Sequence, residues 1–330
     1  MLSFFLTILF LYIAFRNVNF YDVLNSLKNV SFFWVLIFII IFLLSHVVRA
    51  YRWKIILKSV KPDAKFKNLF GALMVGYGMN CVIPRLGEVT RAVLIGKWEG
   101  LSKTSMFGTV ILERIIDILF FGISIIITIF ISTKDVYQSF PWLKLTLYIS
   151  TAFLLGIIIF IIFLFKFKDK FSNIIISFIS LFSSAFAQRA HYIFEMLLEG
   201  FSSLRGVTNY LYTIFLSAVI ILLYALNSYI GFYTLNMQHF QNVDFGMGWV
   251  VMSISSIGVA IPTPGGTGSY HALVKETLVL LYGFGNDISS AYAILTHFIS
   301  YILFIIFALI IFFVLNKKHE SLIKIVKSEI

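Results

Sequence analysis

Arg85, Glu88 and Arg91, followed by Glu113, Arg114 and Asp117, stand in stretches that are otherwise almost wholly apolar. A charge carried to the centre of a bilayer costs about 2.5–3.5 kcal/mol on the insertion scale, so such residues pair or serve a pathway. On a helix Glu113 and Asp117 share one face at i,i+4, and Arg114 and Asp117 are neighbours at i,i+3. Two chemistries fit this set. In one, Arg85 or Arg91 pairs with Glu113 or Asp117 and pins two elements together, because an unpaired buried charge is far costlier than a paired one. Glu88 then simply favours the positive end of a helix dipole. In the other, Arg85, Arg91 and Arg114 line a polar cavity and receive an anionic head group, since a guanidinium donates bidentately to phosphate. The two are compatible if the pairs open during transport.

The run that holds Arg85 occurs twice in form. Ile83-Pro84-Arg85-Leu86-Gly87 is matched by Ile261-Pro262-Thr263-Pro264-Gly265. Pro84, Gly87, Pro262 and Pro264 are helix breakers, because proline lacks the N–H and glycine lacks side-chain restraint. Asn80, just before the first break, can satisfy the backbone groups so freed. After the second break, Gly265, Gly266, Thr267, Gly268 and Ser269 open another apolar piece. Backbone N–H groups at such a helix start suit an anion, with Thr267 and Ser269 adding hydroxyls. A tight turn permitting close helix packing is the alternative. A nucleotide P-loop is excluded, as no strand precedes and no Gly-Lys-Ser/Thr follows. Lys275 and Glu276 are further charges in the second piece. His46, His271 and His297 lie in apolar surroundings and are expected as hydrogen-bonded interior residues, with His271 also a site candidate. No metal-ligand spacing, nucleophile arrangement or cofactor motif stands out. The single cysteine, Cys81, rules out an internal disulfide and reads as a small apolar filler.

The elements that must hold these residues follow from composition. Of 330 residues, 60% are hydrophobic and 12% charged, about half the charge of a soluble domain. The fold class expected is an all-α polytopic membrane protein, a single integral membrane domain over 1–330. About six full transmembrane helices are expected: a short or tilted 2–15, then 31–57, 105–131, 143–165, 209–235 and 288–314. No cleavable signal peptide is evident. Lysine and arginine gather at 49–67, at 166–170 and after 316, which assigns those sides and both termini to the cytoplasm. The net charge of +11 is thereby accounted for by topology rather than by nucleic acid. The cytoplasmic (inner) membrane is the expected location. Residues 166–208 alternate apolar and polar at helical spacing, as in an amphipathic connector on the inner interface.

Two stretches, 68–98 and 248–282, remain. Each has two apolar pieces too short to cross, divided by an Ile-Pro break, and each must begin and end on one side. They are expected to be re-entrant helical hairpins. Segment 31–131, with its hairpin at 68–98, and segment 209–314, with its hairpin at 248–282, then have the same order and opposite orientation, an inverted-topology repeat.

Arg52-Trp53, Asn80 through Pro84-Arg85-Leu86-Gly87-Glu88 with Arg91, Glu113-Arg114 with Asp117, and Pro262-Thr263-Pro264-Gly265-Gly266-Thr267-Gly268 occur in that order. Together they resemble the transmembrane region of lysylphosphatidylglycerol synthases, a flippase-like family that also occurs as stand-alone membrane proteins. The resemblance implies movement of a phospholipid or similar amphiphile between leaflets, at a site among the matching residues. The synthases carry an aminoacyl-transferase domain after this region and this sequence does not, so lipid aminoacylation is not expected. Where the family often has an acid after its glycine turn, this chain has His271. The lead expectation is thus a lipid flippase working by alternating access, not an enzyme. It would use no cofactor or metal, a membrane lipid as substrate, H⁺ or Na⁺ as coupling ion, and a second copy or a lipid-synthesis enzyme as partner. The alternatives are an ion-coupled carrier of a small soluble anion, with Glu113 and Asp117 on the ion, and a membrane-embedded lipid-modifying enzyme.

Overall fold

Prolines, glycines and long apolar runs divide the chain into helices, and no strand occurs among the described residues. The structure, a computed structural model, describes residues 2–132 and 184–315, with a few isolated positions between 140 and 163. Four helices are long and apolar enough to cross a membrane: α3 (Phe32–Leu57), α6 (Lys103–Ile131), α8 (Val207–Thr234) and α11 (Asn286–Leu315). At 1.5 Å per residue each exceeds the ~30 Å hydrocarbon thickness. Their outward faces carry Phe32, Phe33, Phe130, Phe215 and Phe313, all exposed. Lipid is the medium that makes such a surface stable. The chain is an integral membrane protein.

The expected first helix is α1 (Leu2–Phe15), which stops after 14 residues. The chain then bends by 84° into α2 (Phe20–Lys28), so the pair makes a fifth span only if counted together. Asn19 caps α2, its Oδ1 accepting from the N–H of Tyr21 at 3.1 Å, while its own N–H donates to Asp287 at the start of α11. Of the amphipathic connector, α7 (Ser184–Phe201) is described and packs along α6. Most of the expected span 143–165, residues 166–183 and the basic C-terminal run lie outside the described residues.

Four shorter helices make two pairs. α4 (Phe66–Val82) and α5 (Leu86–Glu99) flank the first break, and α9 (Phe245–Ala260) and α10 (Ser269–Tyr282) flank the second. At 14–17 residues, each is ~21–26 Å long, short of a full crossing. Each pair is antiparallel. Asn80 reaches Gly87 across the first turn, while Asn68 reaches Glu99 at the open end. Gly258 lies against Ser269, and Gln241, just ahead of α9, donates to the carbonyl of Tyr282. The breaks have the geometry their residues dictate. Ile83 is extended, Pro84 follows, and Arg85 takes a left-handed φ of 68° before α5 starts. After Pro262, one 3₁₀ turn spans Pro264–Gly266, with Gly265, Gly266 and Gly268 all at positive φ. An L-residue is strained there, which is why glycine holds three of these positions.

The packing repeats. α3 meets α8, and the other contacts among α3–α6 and α8–α11 come in matched pairs. α3 with α4 is matched by α8 with α9, α4 with α5 by α9 with α10, and α5 with α6 by α10 with α11. α4 on α11 is matched by α9 on α6, and α3 on α11 by α8 on α6. Exchanging α3–α6 for α8–α11 therefore returns the same set of packed neighbours. Small residues allow the crossings. A side chain at Gly78 would collide with Ala308 of α11, and Tyr77 stacks on Phe304 beside it. In the matched contact, Trp249 and Ser253 of α9 donate to the carbonyl of Ser124 on α6 at 3.0 and 3.2 Å.

A buried arginine cluster beside the first break

The helical spacing of Glu113 and Asp117 turns both carboxylates towards α3, which presents Arg49 and Arg52 one turn apart. Arg49 pairs with Asp117, and its Nε lies 3.0 Å from Glu113. Arg52 bridges both acids at 3.1 and 2.6 Å, and its other terminal nitrogen donates to Ser217 of α8 at 2.8 Å. Arg91 arrives from α5 and pairs with the second oxygen of Glu113. Its guanidinium lies over the Trp53 ring, 4.1 Å from the centroid, and the Trp53 N–H donates to Thr109. Arg49 also donates to the Tyr224 hydroxyl at 3.1 Å. Arg114 is the outlier, 30% exposed and 3.8 Å from Asp117. Glu113 is wholly buried, and Arg49, Arg52 and Arg91 nearly so.

Four guanidinium groups thus meet two carboxylates, leaving an excess of positive charge. A small, partly open cleft borders it, lined by Gly76, Tyr77, Asn80, Glu88, Arg91 and Arg114. Glu88 sits at the break end of the cleft, 3.3 Å from the Asn80 amide, and partly offsets that excess. Arg91 Nε and Nη1 and Arg114 Nε have no hydrogen-bond partner. Buried donors without acceptors are costly to leave unmade, by about 1–3 kcal/mol each and more for charged groups. A guanidinium in that state has donors to offer an anion.

The structure brings some of the candidate residues together and leaves others apart. Arg91, Glu113, Arg114 and Asp117 come together, with Glu88 at the edge. Asn80 does satisfy freed backbone, its Oδ1 accepting from the Gly87 N–H at 2.7 Å. Arg85 donates to the Ala260 carbonyl at 2.6 Å, so it joins one break to the other. Arg49 and Arg52 read as part of a basic cytoplasmic run, and the structure buries them instead. Their i,i+3 spacing with Trp53 beside them was the available signal.

The second break lies against the first rather than in the cluster. Tyr301 donates to the Cys81 carbonyl at 2.8 Å, and Gly265 packs against both residues. The Ser269 hydroxyl is engaged with the Gly258 carbonyl at 2.7 Å and with Thr263 at 3.0 Å. The Gly268 N–H donates to His271 Nδ1, and Gly268 itself packs on Thr7 and Phe10 of α1. Thr267 is half-buried, and Pro262 and Pro264 frame the turn. In this arrangement the turn acts as a close-packing device. His46 contacts Ser45 Oγ and the Phe42 carbonyl at 2.8 and 2.9 Å, as an interior histidine should. Lys275 is buried, 3.7 Å from Glu276.

Comparison with known proteins shows the family. The family described as the lysylphosphatidylglycerol synthase TM region matches residues 1–308. A UPF0104 membrane protein of Methanocaldococcus jannaschii is 29% identical over 162 residues, 48% of this chain and 47% of that protein. A second UPF0104 membrane protein, from Methanothermobacter thermautotrophicus, is 29% identical over 99 residues, 29% of each chain. The matched segment thus spans about half or less of these relatives. No solved structure matches the chain. With nearly its whole length matched, the chain belongs to the lysylphosphatidylglycerol synthase transmembrane-region family.

Proposed function

We propose that this protein moves a phospholipid, or another amphiphile with an anionic head group, between the leaflets of the cytoplasmic membrane. The observation that carries the reading is the set of unmet donors on Arg91 and Arg114 beside a small cleft. An anionic head group would satisfy those donors and the excess positive charge together. The matched packing of the two helix sets supports an inverted repeat, with α4–α5 and α9–α10 as re-entrant hairpins whose breaks meet within the bilayer. That is the architecture of alternating access about a central site. In this scheme the head group displaces the ion pairs of Asp117 with Arg114 and of Glu113 with Arg91. The acyl chains stay in lipid beside the exposed apolar faces.

The test is leaflet exchange of fluorescent phosphatidylglycerol in liposomes holding the purified protein, wild type against Arg114→Gln. One charge-assisted hydrogen bond is worth about 1.5–3 kcal/mol, so exchange is expected to fall roughly ten- to hundredfold. Equal exchange by both proteins removes the cluster from the pathway. No exchange of any lipid by correctly inserted wild type, with uptake of a soluble phosphate ester instead, favours the soluble-anion carrier.

A further inference from the structure

We propose that His271 and His297, facing each other at the second break, are the proton-binding site that couples proton movement to transport. This rests on the transport reading above. By packing, α11 is the counterpart of α6. His297 is the twelfth residue of α11, as Arg114 is the twelfth of α6. Where the first helix set carries a fixed charge, the second carries an imidazole, which gains and loses a proton near pH 6.5 when unperturbed.

The hydrogen bonds assign each ring a role. His297 Nε2 lies 2.9 Å from the Gly265 carbonyl, which can only accept, so Nε2 carries the hydrogen and Nδ1 is the basic atom. His271 Nδ1 accepts the Gly268 N–H at 3.3 Å, so its hydrogen is on Nε2. The ring centroids are 4.6 Å apart, and like charges at that separation disfavour one another. The pair therefore takes up at most one added proton at a time. On His297 Nδ1 the proton leaves the Gly265 bond intact. On His271 Nδ1 it abolishes the acceptor for Gly268, uncaps α10 and frees the glycine turn. That turn is part of the seam between the two hairpins, through Gly265 against Cys81 and Tyr301. Each cycle would take one proton from water on one side and return it on the other, with only an N–H bond made and broken.

The surroundings make this pair the switch. From α10, Tyr270 rings contact both imidazoles, and Lys275 lies one turn beyond His271 with Glu276 beside it. From α11 come Tyr301, against His297, and Asp287 ten residues away, ~15 Å along the helix. α1 contributes Phe15, with Arg16 exposed beyond it. α2, packed on α11, carries Tyr21, Asp22 and Lys28 and is tied to the Asp287 end. α9 holds no titratable side chain, and the first break offers Cys81 and Arg85. α3 meets α11 through His46 on Phe304, α8 through the Ser228 carbonyl, which accepts from Tyr292, and α4 through Tyr77 on Phe304, while Arg49, Arg52 and Tyr224 are engaged in the cluster. Glu113 and Asp117 already face several arginines, so a coupling cation is repelled there.

The experiment uses the full chain in liposomes containing fluorescent phosphatidylglycerol, with and without an imposed pH gradient. His271→Asn keeps an acceptor near Nδ1, and His297→Gln keeps a donor for Gly265. Wild type is expected to speed up several-fold under the gradient, and neither variant to respond to it. Hydrogen–deuterium exchange over 265–270 gives a readout independent of transport. Corrected for intrinsic rates, exchange should rise on acidification in wild type and stay flat in His271→Asn. A double variant that keeps the gradient response overturns the proposal, as does pH-insensitive exchange at 265–270 in wild type. A pH-dependent turn in a protein that moves no lipid retains the proton site and overturns the flippase reading.

Discussion

Glu113 is the residue on which the cluster turns, because it meets Arg49, Arg52 and Arg91 at once. Neutralising it leaves buried guanidiniums short of a counter-charge. Removing one partner from a buried pair costs about 3–5 kcal/mol. Glu113→Gln is therefore expected to lower thermal stability by many degrees in detergent, read by the unfolding midpoint. Arg114→Gln should shift that midpoint little, since Arg114 is partly exposed and only loosely paired. A marginal Glu113→Gln shift would mean that the ion pairs are open in the resting protein. Some of this was legible in the sequence. Charged residues in an apolar stretch must find partners, and i,i+4 spacing gives the shared face of Glu113 and Asp117. Arg91 is legible as one of those partners, whereas Arg49 and Arg52 are not. Arg49 and Arg52 sit at the end of α3, where the basic-residue bias of membrane topology explains an arginine equally well. Only the packing of α3 against α6 and α8 decides between the two.

At the scale of elements, the first hairpin depends on how closely α4 and α5 approach. A methyl at Gly87 would run into the Gly76 carbonyl and the Asn80 amide, backbone on one side and a committed hydrogen bond on the other. Neither can yield cheaply, so Gly87→Ala is expected to destabilise by about 1–3 kcal/mol as an overpacked contact. It should also widen the cleft between Asn80 and Arg91. Gly100→Ala is the control. It has open space around it and a left-handed φ of 67°, so only the backbone term of about 1 kcal/mol applies. Midpoints of thermal unfolding for the two variants compare them directly, and an effect at Gly87 no larger than at Gly100 would show that the crossing gives way. The breaks themselves were plain from Pro84, Gly87, Pro262 and Pro264. The use of Arg85 as a clasp onto Ala260 was not. It depends on two breaks, 175 residues apart, coming to the same place, which no local pattern encodes.

At the scale of the molecule, the matched packing requires that equivalent helices run in opposite directions across the bilayer if the repeat is inverted. The boundaries expected from hydropathy for the described spans and hairpins agree with the helices to within three residues, because apolar length and helix breakers set them locally. Sidedness is a different matter. It rests on where lysines and arginines stay, and no helix contact fixes it. Single cysteines introduced into a Cys81→Ala background can report it. Asp63 and Gly100 flank the first hairpin, Asn242 and Asn286 flank the second, and all four are exposed. If both hairpins are re-entrant, a membrane-impermeant maleimide added to right-side-out vesicles should label Asn242→Cys and Asn286→Cys. Asp63→Cys and Gly100→Cys should react only after the membrane is opened. Labelling that separates Asp63 from Gly100 would make α4–α5 a bent full crossing. The second helix set would then repeat the first in parallel, and the breaks could not serve as two mirrored gates onto one arginine site.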